Sequence, residues 1–162
     1  MPGCGKSVIG EIIAEKVEMA FIDMDTYISD STKLTIIELF KDGEDSFRNI
    51  EANAAIELSA KAPLVIATGG GVIKRYENIL NLKKTGLIIY INRPIENIVA
   101  DIDILARPLL KNSPSQLYKL FEDRSHLYKK YCDFEVMNIS SIKDVVNTII
   151  DIHTQINNNK QV

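Results

Sequence analysis

The sequence predicts an α/β protein built on a parallel sheet, and three observations carry that prediction. Ala20-Phe21-Ile22, Leu64-Val65-Ile66-Ala67 and Leu87-Ile88-Ile89-Tyr90-Ile91 are short, continuously apolar runs, as strands covered on both faces are. Segments with apolar residues at helical spacing separate them, the alternation that marks βαβ units. Asp23 and Asp25 follow one run, Gly69 to Gly71 follow another, and a glycine-rich Gly3-Cys4-Gly5-Lys6-Ser7 opens the chain. In a parallel sheet all of these fall at the carboxyl edge, where ligands bind.

The elements follow in order. Val8, Ile9, Ile12, Ile13 and Val17 give Ser7 to Val17 a helical stripe. Ala20 to Ile22 is the first strand. Asp25 to Ser31 and Thr35 to Lys41 form short helices, the second broken at Asp42-Gly43. Glu44 to Lys61 is a longer helix on Phe47, Ile50, Ala54, Ala55 and Leu58, stopped by Pro63. Leu64 to Ala67 is a strand, Tyr76 to Lys83 a helix, and Leu87 to Ile91 a strand. Pro94 opens the next helix from a first-turn position. Asp101 to Ser115 has no apolar period and holds Arg107-Pro108-Leu109-Leu110, which predicts an excursion over the site. Gln116 to Tyr131 is helical, Phe134 to Val136 a short strand, and Lys143 to Ile156 a closing helix before a polar, frayed tail.

At 162 residues, 1–162 reads as one domain with a sizeable core. Hydrophobic residues make up 46% and charged residues 25%, an ordinary globular balance. No apolar run is long enough for a membrane span, and no basic, apolar leader opens the chain. The net charge of -3 argues against nonspecific nucleic-acid binding. Cys4 and Cys132 lack zinc spacing and read as free thiols in a reducing cytoplasm.

Met1 to Ser7 matches the phosphate-binding pattern G-x-x-x-x-G-K-[ST] without its leading glycine. Small residues let backbone N–H groups cradle phosphate oxygens, and the following helix adds the positive end of its dipole. Gly3, Cys4, Gly5, Lys6, Ser7 and Val8 are therefore candidates to hold ATP. Lys6 would reach the outer phosphates, and the Ser7 hydroxyl would ligate Mg²⁺. Of Asp23 and Asp25, one suits Mg²⁺ and the other suits accepting a proton. A strand-end turn with Asp25 capping the next helix is the plainer account. Arg48 and Glu51 are neighbours on one helix, and from the helix alone they read as an exposed ion pair. Gly69, Gly70 and Gly71 suggest close backbone approach to a ligand, or only a tight turn. Arg107 could cover developing phosphoryl charge, and Arg124 could grip a carboxylate with its fork; each also reads as a solvated surface residue.

MPGCGKSVIG, FIDMDTYI, the segment Ile36 to Phe40, DGEDSFRNIE, TGGGV, ARPLL and DRSHLYKKY, in that order, resemble the shikimate kinases. The match runs from Met1 to about Tyr131, most of the chain. The resemblance implies ATP-dependent phosphorylation of the 3-hydroxyl of shikimate, a step toward aromatic amino acids, with one Mg²⁺. It implies that Asp25 binds the hydroxyl and acts as base, and that Asp23 and Ser7 hold the metal. Arg48 and Arg124 would grip the substrate carboxylate, with Glu51 orienting Arg48. Gly69, Gly70 and Gly71 would line the substrate pocket, and Lys6 and Arg107 would stabilise the transferred phosphoryl. The implied fold is that of nucleoside monophosphate kinases: a three-layer, five-stranded parallel sheet with flanking helices. The substrate region would span about 25–58 and the lid about 102–115. A cytoplasmic monomer is expected, with shikimate and ATP as its partners and neither nucleic acid nor membrane.

In that fold a central strand precedes the phosphate loop. The sequence has no residues for it, so two strands are expected to lack ladder partners across a gap in the core. The stretch Asp101 to Ala106 is acidic and apolar where relatives often carry basic residues. Asn138-Ile139-Ser140 is the candidate for the adenine side. Two other readings are a different small-molecule kinase of this fold, such as a gluconate kinase, and a non-catalytic module that keeps the shikimate pocket.

Overall fold

Four strands form the middle layer of the computed structural model, which describes residues 1–61, 63–101 and 114–159. β1 (Ala20–Asp23) pairs in parallel with β2 (Leu64–Ala67), Ala20 opposite Leu64 and Asp23 opposite Ala67. β3 (Ile89–Asn92) pairs in parallel with β4 (Phe134–Met137), Ile89 opposite Phe134 and Asn92 opposite Met137. Among the described residues the two pairs share no ladder, so the middle layer is two two-stranded halves rather than one continuous sheet.

A cavity of about 570 Å³ separates the halves. Val65 and Ile66 line one side and Ile89 and Ile91 the other, with Ile13 and Leu82 closing its two faces. These strand residues are half-buried along the edges that face the cavity.

Helices flank the strands: α1 (Lys6–Lys16), α2 (Met24–Thr32), α3 (Ile36–Lys41), α4 (Glu44–Ser59), α5 (Tyr76–Lys83), α6 (Ile95–Asp101), α7 (Pro114–Tyr131) and α8 (Ile142–Asn159). α1 and α8 bury Ile9, Ile13, Val145, Val146 and Ile149 with Val136 of β4. On the other side Met24, Ile28, Leu58, Ile79, Ile98 and Leu117 form the larger core. Each such side chain contributes roughly 1.5–3 kcal/mol. α1 buries Ile9, Gly10, Ile13 and Ala14. Val8, counted in the apolar stripe, is instead 52% exposed, because it faces away from the strands.

Local signals set several boundaries. Thr35 and Glu38 form a reciprocal capping box that starts α3. α7 begins at Pro114, two residues earlier than periodicity indicates, since proline suits a first helical position. α8 continues through Asn159, past the expected fraying point. The expected lid, Arg107 included, lies outside the described residues except where Pro114 and Ser115 open α7. Among the described residues no helix is long and apolar enough to cross a membrane.

Candidate active site

Residues 1–7 form a tight loop whose shape depends on two glycines. Gly3 and Gly5 have φ of 73° and 93°, the left-handed region that side chains other than glycine rarely adopt. Left-handed residues on either side of Cys4 turn successive N–H groups toward one side, a concavity suited to an anion. α1 starts at Lys6, so the unpartnered N–H groups of its first turn face the same place.

The carboxyl ends of all four strands meet this loop. At the end of β1, Asp23 accepts a hydrogen bond of 2.7 Å from the Ser7 hydroxyl. After β2, Gly70 lies against the loop, where an added Cβ would meet the Pro2 ring at 3.5 Å, an ordinary contact distance. After β3, Arg93 donates to the Gly3 carbonyl at 3.2 Å, and after β4, Asn138 donates to the Cys4 carbonyl at 2.9 Å. Lys6 folds back and donates to the Met1 carbonyl at 2.8 Å. Burial pushes the Cys4 thiol up, but the positive charges beside it, Lys6 foremost, outweigh burial and hold it below its ordinary value.

Over Gly69, Gly70 and Gly71, side chains from three helices converge. An added Cβ at Gly69 would lie 2.8 Å from Asp25 Oδ1, and one at Gly71 would lie 2.3 Å from Arg48 Nη1. Arg124 donates to the Gly70 carbonyl at 3.3 Å, and the Tyr128 hydroxyl donates to the same oxygen at 2.6 Å. Gly71 has an ordinary φ of -97°, so the need for glycine there is space rather than backbone freedom.

Arg48 is 6% exposed and Glu51 1%. This corrects the reading of the two as a solvated pair: α4 turns both inward, where Arg48 Nη1 donates to Glu51 at 2.8 Å. Glu44 accepts from the other side of the guanidinium, at 3.2 Å from Nε and 3.0 Å from Nη2. The Arg48 guanidinium carbon also lies over the rings of Phe40 and Phe47, 5.7 and 5.1 Å from their centroids. Burial raises the Glu51 carboxyl above its ordinary value, with Arg48 opposing and Asp25 adding to the rise.

The helix cap at this edge is Asp23, not Asp25. Asp23 Oδ1 accepts from the backbone N–H groups of Asp25 and Thr26 at 3.0 and 3.3 Å, which leaves its Oδ2 for Ser7. A hydroxyl and a carboxylate at hydrogen-bond distance are hard oxygen donors, and Mg²⁺ commonly takes one or two such groups plus phosphate oxygens and waters. Among the described residues no cluster of three His, Cys, Asp or Glu could hold a metal.

The structure thus brings Lys6, Ser7, Asp23, Asp25, Arg48, Arg124 and the three glycines to one edge. Val8 stays exposed on the outer side of α1. Asn138, expected on the adenine side, contacts the phosphate loop through its side chain. Sequence reasoning assigned no role to Arg93, Tyr128 or Glu44. Arg93 directly follows an apolar strand, and Glu44 stands four residues before Arg48 on the same helix, both usable signals; the partner of Tyr128, the Gly70 carbonyl, lies on another element and gave none.

A family model described as shikimate kinase matches residues 2–154. A shikimate kinase of Clostridium botulinum (strain Eklund 17B / Type B) is 51% identical over 149 residues, covering 92% of this chain and 90% of the relative. One of Clostridium beijerinckii is 45% identical over 152 residues, covering 94% and 90%. The solved structure of shikimate kinase from Acinetobacter baumannii in complex with shikimate aligns with a TM-score of 0.87 at 32% identity, covering 94% of this chain and 88% of that one.

Proposed function

The chain belongs to the shikimate kinase family, and from that premise we propose how its residues move the γ-phosphoryl group of ATP to the 3-hydroxyl of shikimate. The observation that carries the assignment is the convergence of Asp25, Arg48 and Arg124 on three consecutive glycines beside the phosphate loop. A small acid bearing hydroxyls needs fixed guanidinium groups for its carboxylate and a carboxylate for its reacting hydroxyl.

In this reading Asp25 accepts the proton of the attacking hydroxyl. Arg48 and Arg124 hold the substrate carboxylate, and residues 25–58 form the substrate region. Arg48 is already oriented by Glu51 and Glu44, so little conformational freedom remains to be lost on binding. The loop N–H groups and Lys6 take the phosphates, and Lys6 exchanges the Met1 carbonyl for a phosphate oxygen. Ser7 and Asp23 would hold one Mg²⁺, which when bound neutralises charge on the phosphate oxygens. Arg107 is assigned to the same charge. The free thiols Cys4 and Cys132 are in keeping with a cytoplasmic setting, and we assign the activity to a monomer.

ADP release with shikimate and Mg-ATP tests the assignment. Asp25→Asn should lower kcat by about 10²-fold or more while ATP affinity holds. Wild-type turnover in that variant removes Asp25 as base. Phosphorylation of gluconate or a nucleoside monophosphate, with none of shikimate, overturns the substrate.

A further inference from the structure

Two side chains from the far pair of strands grip successive carbonyls of the phosphate loop. Arg93 Nη1 donates to the Gly3 oxygen at 3.2 Å, and Asn138 Nδ2 donates to the Cys4 oxygen at 2.9 Å. A trans peptide is planar, with its C=O and the next N–H pointing in opposite directions. Pulling the Gly3 oxygen toward β3 therefore aims the Cys4 N–H the other way, and pulling the Cys4 oxygen toward β4 does the same for the Gly5 N–H. These two amides lie between the left-handed residues Gly3 and Gly5, in the stretch whose N–H groups turn toward one concavity.

We propose that Arg93 and Asn138 are positioning residues for the nucleotide phosphates: they fix the direction of two loop N–H groups before ATP arrives. The proposal rests on reading residues 1–7 as the phosphate loop. Backbone N–H groups stabilise an anion in proportion to how well they are held in place, since a loop that must reorganise gives up part of the interaction. Met1 and Cys4 anchor the loop in the larger core, but Gly3 and Gly5 have no side chains to hold the peptides that join them to Cys4. Asn138 is also packed tightly, since a Cβ on Gly5 would lie 3.2 Å from its Nδ2. Arg93 additionally pairs with Asp101, which anchors the guanidinium from its other side.

Steady-state kinetics at saturating shikimate, with Mg-ATP varied, provides the test. Asn138→Ala should raise the KM for ATP about tenfold, the value of one hydrogen bond of this kind, while the KM for shikimate stays within about twofold. Asn138→Asp is the decisive variant. It keeps the shape of asparagine but sets a carboxylate oxygen against the Cys4 carbonyl, so it should raise the KM for ATP more than alanine does. A residue that only packs predicts the reverse order, because the isosteric change is then the milder one, and that order overturns the proposal. Arg93→Met should raise the KM for ATP, and Arg93→Lys, which retains a donor, should recover part of the loss. Asp101→Asn reports the ion pair alone and should move the KM for ATP less than Arg93→Met does; an equal effect assigns the Arg93 result to the ion pair. Lys6→Ala separates the two levels of inference. If it leaves the KM for ATP unchanged, the phosphate-loop reading fails. If it raises that KM while Asn138 and Arg93 variants do not, only the positioning role fails.

Discussion

The guanidinium of Arg48 occupies the space that a side chain at Gly71 would need: an added Cβ there would lie 2.3 Å from Nη1 and 2.5 Å from Nη2. Because Glu51 and Glu44 hold the guanidinium from either side, it cannot step aside cheaply. Gly71→Ala should therefore lower kcat/KM for shikimate by about 10²-fold, the scale of an ångström-sized displacement of a binding group. Kinetics with varied shikimate measures it, and a wild-type value would mean that Arg48 relocates freely.

Removing Arg48 exposes the cost of its partner. Arg48→Met leaves Glu51 buried and uncompensated, and stability should fall by about 3–5 kcal/mol in urea denaturation. Adding Glu51→Gln should restore at least half of that loss. Burial raises the Glu51 carboxyl, and without Arg48 it rises further, so the folded single variant binds a proton more readily than its unfolded chain. Its deficit should shrink as pH falls toward 5; a deficit independent of pH would show that Glu51 stays ionised through another contact.

Asp23 carries two tasks on two oxygens, the helix cap on Oδ1 and Ser7 on Oδ2. Asn is as good a cap as Asp. Asp23→Asn should thus keep the melting temperature within a few degrees while raising the Mg²⁺ concentration needed for half-maximal turnover by about tenfold or more. Titration of Mg²⁺ at fixed ATP checks this. Asp23→Ala should lose the cap as well, at about 1 kcal/mol.

Much of the site was legible because the types and spacing of residues near strand ends are themselves chemical statements. Lys6 and Ser7 after a glycine-rich turn, Asp23 and Asp25 past an apolar run, and the three glycines after another all point to the carboxyl edge of a parallel sheet. Arg48 and Glu51 were legible as neighbours, but not as buried. Helical spacing reports which residues adjoin, whereas burial depends on what packs against that face. The side-chain contact of Asn138 was not legible for a related reason: its partner, the Cys4 carbonyl, is a backbone atom far off in sequence.

The sequence by itself determined the alternation of strands and helices, the phosphate loop and the chemistry of the edge, since these depend on local periodicity and on residue type. The tertiary structure decided which carboxylate caps α2, that the glycines make room for Asp25 and Arg48, and that Arg93 and Asn138 reach the loop. Each of these is settled by where backbone carbonyls and side-chain ends meet in space, and contacts between distant segments leave no periodic trace along the chain.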